Sequence, residues 1–223
     1  MHDNVAGDGL LVVVEGIDGA GTTTQAGLLV EWLRSRSLSC ALTAEPSRGP
    51  VGALLRQVLS GRVISRLPDG STGPLDNGVI SLLFAADRID HLASEILPLL
   101  REGRIVVSDR YYHSSLTYQA LEGEWEWIRA INAQARRPDI TYLLDCPAET
   151  AGARLASSRQ GRDIYEKMEV QRQLVDAYRR LPSLLPDENF QVVDATRPVA
   201  QVQDTIRRDL ASRLAGGVDG EGR

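Results

Sequence analysis

Short apolar runs alternate along this chain with stretches whose apolar positions recur at helical spacing. Residues 10–15 form a continuous apolar and β-branched run, the pattern of a strand buried on both faces. A helical pattern follows over about 23–37, and residues 39–43 predict a second strand. Pro50 opens a helix reaching about Ser60, since proline suits a first turn. Residues 61–74 are rich in Gly, Pro, Ser and Asp and read as a loop. From about 75 to 102 the spacing predicts one long helix. Leu82, Leu83, Ala86, Ile89 and Ala93 lie near one face of it, and Pro98 is a potential kink. Residues 104–108 predict a third strand, 114–134 helical segments and 140–145 a fourth strand. A helix starts at Pro147, another covers 164–181, residues 190–193 predict a fifth strand, and 198–214 close with an amphipathic helix. Residues 157–163 are polar and basic, the composition of a mobile flap. Residues 1–9 and 215–223 read as flexible ends. Regular alternation of strand and helix predicts an α/β fold: one domain over 10–214, with a five-stranded parallel sheet covered by helices on both faces.

The sharpest local signal sits between the first strand and the first helix. Gly16-Ile17-Asp18-Gly19-Ala20-Gly21-Thr22-Thr23-Thr24 has the spacing of a phosphate-binding P-loop: glycine, four residues, glycine, lysine, then serine or threonine. Glycines let backbone N–H groups turn inward toward phosphate oxygens at a helix N-terminus. Thr23 holds the position whose hydroxyl binds Mg²⁺. The lysine position is Thr22, which carries no charge. A functionless glycine-rich turn is the bland alternative, and the order strand, loop, helix argues against it. A second candidate, Asp109-Arg110-Tyr111, follows the third strand. A carboxylate there faces the ligand crevice of a parallel sheet and can hold Mg²⁺ directly or through water. Arg110 can bind an acceptor phosphate. Read alone, the pair could equally be a surface ion pair.

Composition narrows the classes. The 223 residues carry a net charge of −5 and are 43% hydrophobic, enough for a core and without the basic face of a nucleic-acid binder. No apolar run approaches the ~20 residues of a membrane span. Cys40 and Cys146 lack metal-type spacing and read as buried free thiols, which suits a reducing cytoplasm. Of the 25 basic residues only Lys167 is lysine. A drift from lysine to arginine does not account for Thr22, because threonine is uncharged.

Further segments make the chain resemble the thymidylate kinase family of nucleoside-monophosphate kinases. Beside the P-loop, Thr43, Glu45, Pro46, Pro50 and Gly52 fall on the family's T-R-E-P-G-G-T-P-L-G pattern. Leu82-Leu83-Phe84-Ala85-Ala86-Asp87-Arg88 matches L-L-F-A-A-D-R. Asp109-Arg110-Tyr111, Ser114-Ser115, Tyr118 and Gln119 match D-R-Y-x-x-S-S-x-x-Y-Q. Arg136, Pro138, Asp139 and Asp145 match R-P-D-x-x-x-x-x-D, and Asp194-Ala195-Thr196 resembles a late D-A-T. The resemblance implies a P-loop fold with a short lid, ATP and thymidine monophosphate as substrates, Mg²⁺, a cytoplasmic setting and a homodimer.

The resemblance also assigns roles. Gly16, Asp18, Gly19, Ala20, Gly21, Thr22, Thr23 and Thr24 would surround the ATP phosphates, with Thr23 and Asp109 toward the metal. Arg154 and Thr196 would lie on the ATP side, Thr196 near adenine. On the acceptor side, Asp18 would contact the 3′-hydroxyl, Phe84 would stack on thymine and Arg88 would hydrogen-bond the base. Ser115 and Gln119 would lie beside the base, while Glu45, Pro46 and Arg48 belong to the acceptor loop. Tyr118 would sit against the ribose 2′ position and reject an added hydroxyl. Phe84 taken singly would read as core. Arg110, with Asp18, Arg159 and Arg162, forms the catalytic set.

Three departures fall around the phosphates. Thr22 stands for lysine, Ala44 for the arginine of T-R-E-P, and Ser47-Arg48-Gly49 for G-G-T. One lost, well-placed cation costs roughly 10²- to 10⁴-fold in rate by analogy with other oxyanion stabilisers. Arg48, Arg154, Arg159, Arg162 and Lys167 are candidates to replace it, and a closing flap favours Arg159 or Arg162. The residues thus predict a thymidylate kinase with a substituted cation. The alternatives are a nucleotide-binding protein of little activity and a kinase for another nucleoside monophosphate.

Overall fold

The computed structural model describes residues 9–156 and 164–216. Strand β1 (Leu11–Glu15) is buried along its whole length and occupies the centre of a five-stranded parallel sheet. Its neighbours are β5 (Ile105–Asp109) on one side and β6 (Ile140–Asp145) on the other. Strand β2 (Cys40–Ala44) and strand β7 (Phe190–Asp194) form the edges, giving the order β2-β5-β1-β6-β7. The runs Leu11–Val14 and Ile140–Leu144 are buried on both sides, which is why they lack polar alternation. From β1 the chain adds strands first on the β5–β2 side and later on the β6–β7 side, so the crevice at the strands' C-terminal ends opens beside β1.

Helix α1 (Thr22–Ser35) packs against α9 (Val199–Gly216), while α8 (Ile164–Leu184) contacts α5 (Tyr112–Tyr118), α7 (Ala148–Ala156) and β6. Helix α2 (Pro50–Leu59) begins at its proline as expected and lies on α3 (Asn77–His91). The expected single helix over 75–102 is instead α3, one π-helical segment (Leu92–Ile96) and α4 (Leu97–Arg101). Pro98 supplies no N–H to the preceding turn, and the wider π turn accommodates the break without a loop. The expected loop over 61–74 contains a small antiparallel pair, β3 (Ser65–Arg66) with β4 (Thr72–Gly73). Helix α6 (Trp125–Ile131) completes the set.

Gly9, expected in a flexible end, donates its N–H to the Leu100 carbonyl at 2.7 Å. Helix α9 runs on to Gly216, beyond the expected boundary at 214. The flap expected over 157–163, with Arg159 and Arg162, lies outside the described residues, as does the side chain of Lys167. Both cysteines are buried free thiols. Among the described residues no helix is long and apolar enough to cross a membrane.

Candidate active site

Every strand of the sheet ends at one rim, and each delivers a site segment there. β1 leads into the P-loop, β5 into Arg110, β2 into Glu45, β6 into Cys146 and β7 into Thr196. In the P-loop, Gly19 has φ 86° and Gly21 φ 101°. Gly19 has a second reason to lack a side chain: a Cβ there would stand 2.5 Å from the Ala151 carbonyl oxygen in α7. The amides of Thr22, Thr23 and Thr24 belong to the first turn of α1 and have no carbonyl one turn earlier in the helix. They are the donors an anion at this helix end would use. Thr22 itself is buried, at 6% exposure, and contributes backbone rather than charge.

Thr23 Oγ1 donates to Asp109 Oδ2 at 2.5 Å, so the two expected metal residues meet across the mouth of the loop. Asp109 Oδ1 is buried and has no hydrogen-bond partner among the described residues. Among the described residues no three metal-ligating side chains cluster. One hydroxyl and one carboxylate, whose second oxygen is the unpartnered one, fit Mg²⁺, which usually takes one or two protein ligands and completes its shell with water and phosphate.

The cleft along the P-loop is lined by α7 from Gly152 to Ala156, by Met168, Gln171 and Leu174 of α8, and by Ala195 to Val199. Arg154 crosses its floor. Its NH2 donates to the Ala195 carbonyl at 2.8 Å, and its NH1 reaches the Gly19 and Ala20 carbonyls, each at 3.5 Å. The Asp194 carboxylate accepts from both the hydroxyl and the amide of Thr196 and from Arg197, which holds its pKa below the usual carboxylate value. Of the arginines considered to replace the lysine, Arg154 lines the cleft and Arg48, exposed on the 45–49 loop, does not.

Asp18, Arg110 and Tyr118 also line this cleft and touch one another. Arg110 NH2 donates to Asp18 Oδ1 at 2.6 Å, and its guanidinium lies 5.4 Å from the Tyr118 ring centre. The Tyr118 hydroxyl accepts from the Asp18 amide at 3.1 Å. Burial pushes the Tyr118 phenol up to about 12, so it stays protonated. Burial alone would lower the Arg110 pKa, but Tyr178, Tyr118, Glu15 and Asp18 around it raise it overall. Arg110 is thus a permanent cation, and its φ of 70° marks a backbone that non-glycine residues seldom adopt.

Among the remaining acceptor candidates, Glu45, Arg88 and Ser115 are joined by hydrogen bonds and do not line this cleft. Arg88 is 2% exposed and donates through Nε and NH2 to Glu45 Oε2, at 2.9 and 2.7 Å. It also donates to Ser115 Oγ at 3.3 Å and to Asn132 Oδ1. Glu45 is shared with His91, whose Nδ1 lies 3.4 Å away. Ser47, where the family pattern has glycine, binds Asp87 of α3 through its amide at 2.7 Å and its hydroxyl at 2.5 Å, anchoring the loop that carries Pro46 and Arg48. Phe84 is half-buried and outside the main core cluster, unlike the core residue it resembles in isolation. Gln119 follows α5, and its carbonyl accepts from Asn77 Nδ2 at 3.1 Å. Glu15, His91, Asn132 and Tyr178 were not picked out from the sequence. Glu15 had a signal, a charge at the end of an apolar strand directly before the P-loop.

A parallel α/β sheet whose first turn is a P-loop, with a hydroxyl, a carboxylate and an arginine gathered at the ends of its central strands, defines the class of P-loop phosphoryl-transfer proteins. A family model described as thymidylate kinase matches residues 14–206. A probable thymidylate kinase of Pyrococcus abyssi is 38% identical over 210 residues, covering 93% of this chain and 98% of its own length. One from Thermococcus kodakarensis is 37% identical over 203 residues, 88% of this chain and 95% of its own. A thymidylate kinase of Leifsonia xyli is 35% identical over 214 residues, 92% and 96% of the two chains. The chain belongs to the thymidylate kinase family, a family of nucleoside-monophosphate kinases.

Proposed function

We propose that this protein transfers the γ-phosphoryl group of ATP to thymidine 5′-monophosphate, giving the diphosphate, and that an arginine supplies the charge absent at Thr22. One observation carries the reading: Arg110 and Tyr118 contact Asp18 of the P-loop within the cleft that the loop lines, so a cation for an acceptor phosphate and a cradle for a donor phosphate share one cleft. The relatives named as thymidylate kinases support the choice of acceptor. The attacking atom is a phosphate oxygen already ionised near neutral pH, so no general base is needed and the side chains act by positioning and charge. The first-turn amides of α1 hold the donor phosphates, Arg110 grips the acceptor phosphate, and Asp18 meets the 3′-hydroxyl. Tyr118 closes the 2′ side, while Phe84, Arg88, Ser115 and Gln119 read the base. Thr23 and Asp109 would hold Mg²⁺, whose charge offsets that on the phosphoryl oxygens.

The replacing cation is Arg159 or Arg162. Residues 159 and 162 fall in sequence between α7, which ends at Ala156, and α8, which begins at Ile164, and residues of both helices line the cleft. Arg154 is already engaged with the carbonyls of Ala195 and the P-loop. Thr22 favours one rival, a nucleotide-binding protein of little activity. An ADP-release assay run over the deoxynucleoside monophosphates separates the two. Turnover well above background with thymidylate, and less with the other acceptors, is the expected result. Nucleotide binding without turnover would establish the rival, and preferred turnover of another monophosphate would reassign the acceptor.

A further inference from the structure

Glu15 is wholly buried at the end of β1; among the described residues no guanidinium pairs with it, and the buried His113 Nδ1 lies 3.9 Å from its Oε1. A carboxylate in such a place is tolerated only when hydrogen bonds replace its water. Four donors do so. The amides of Tyr111 and Ser114 donate to Oε1 at 2.7 and 3.2 Å. The hydroxyls of Ser114 and Tyr178 donate to Oε2 at 2.8 and 2.9 Å. Each hydroxyl has one proton. The two also lie 3.0 Å apart, where either can donate to the other, and in the arrangement that satisfies the carboxylate both donate to Glu15. What remains on both oxygens is lone pairs, and Arg110 NH1 donates to both, at 3.1 Å to Ser114 and 3.4 Å to Tyr178.

Glu15 therefore reaches Arg110 along two indirect routes. Through the Tyr111 amide it holds the backbone immediately after the strained Arg110 φ. Through the two hydroxyls it orients acceptors for the Arg110 side chain. The opposite nitrogen, NH2, is committed to Asp18. The guanidinium is thus clamped at both ends before any ligand arrives, which lowers the ordering cost of phosphate binding.

We propose that Glu15, Ser114 and Tyr178 are positioning residues for Arg110, with the two hydroxyls transmitting the buried charge to the acceptor-facing cation. The proposal rests on the reading of Arg110 as the acceptor-phosphate grip. Tyr178 is supplied by α8 and Glu15 by β1, so the device also fixes that helix to the central strand at the site.

A double-mutant cycle tests it, with thymidylate affinity measured by calorimetry and kcat by ADP release. Tyr178→Phe keeps the ring but removes the bridge. In the wild-type background we expect about tenfold weaker thymidylate binding, the scale of one hydrogen bond to a charged group, with ATP affinity changed less than about twofold. In an Arg110→Ala background the same substitution is expected to change thymidylate affinity by less than about twofold. Equal losses in both backgrounds, or none in the wild type, would overturn the proposal. If Tyr178→Phe does not fold, Ser114→Ala carries the same cycle with the same expectations. Arg110→Ala with normal thymidylate affinity would instead remove the reading of Arg110, and the proposal with it.

Discussion

Thr22 brings no charge to the phosphates, yet its backbone does what the loop requires. The first turn of α1 forms around it, and its amide belongs to the unpaired set at the helix end. Binding and catalysis are therefore separable at this residue. Amides and the helix terminus hold phosphate, whereas a lysine also neutralises charge that grows during transfer. Replacing Thr22 by lysine restores the missing group in its usual place, and we expect kcat to rise roughly tenfold or more with ATP affinity little changed. An unchanged kcat would mean the substitute cation already supplies the full effect. Removing the substitute has the opposite sign. Arg159→Ala or Arg162→Ala is expected to lower kcat by roughly tenfold or more in steady-state assays. Near-normal rates in both would exclude them and turn attention to Arg154, which lines the cleft, ahead of Arg48, which does not.

Two junctions between elements decide whether the site is assembled. The first joins the P-loop to α7 at Gly19. Alanine there meets both a φ of 86° and the Ala151 carbonyl at 2.5 Å. Gly19→Ala should cost about 2 kcal/mol and lower Tm by roughly 4–8 °C in a thermal melt, with a larger loss of ATP than of thymidylate affinity. The second junction ties α3 to the end of β2 through Arg88 and Glu45, buried together. Arg88→Met strips the buried Glu45 of its guanidinium and leaves it His91 alone at 3.4 Å, a change of about 3 kcal/mol. Calorimetric melting should then fall by roughly 10 °C, and an unchanged Tm would show the pair to be dispensable. These junctions differ in how far they could be read from the chain. The P-loop was legible because its constraints are local: an apolar strand, glycines at fixed spacing and a helix start within a dozen residues. Arg88 was legible only as a motif position. Its burial comes from Glu45, Ser115 and Asn132, each distant in sequence and brought together by the fold. The π segment was missed for the converse reason. Apolar spacing continues through Leu92–Ile96, and a local widening of the helix leaves little trace in periodicity.

At the scale of the whole molecule, alternation of strand and helix was enough to predict the sheet, but the order of its strands was not in the pattern. That order brings the ends of β1 and β5 side by side and sets Arg110 opposite the P-loop. A ligand bridging these ends ties together segments far apart in sequence, so its binding stabilises the domain as a unit. A ligand that binds only the folded state at about 100 times its Kd adds about 2.7 kcal/mol. For a chain of this size that raises Tm by roughly 5–10 °C. We expect ATP with Mg²⁺ and thymidylate each to produce such a shift alone, because the first-turn amides of α1 and the clamped Arg110 exist before either arrives. The ATP shift should persist in Arg159→Ala and Arg162→Ala even as turnover falls, since those arginines are assigned to the transfer step rather than to the cradle. A chain that shifts with thymidylate but not with ATP would show that the loop around Thr22 no longer holds phosphate.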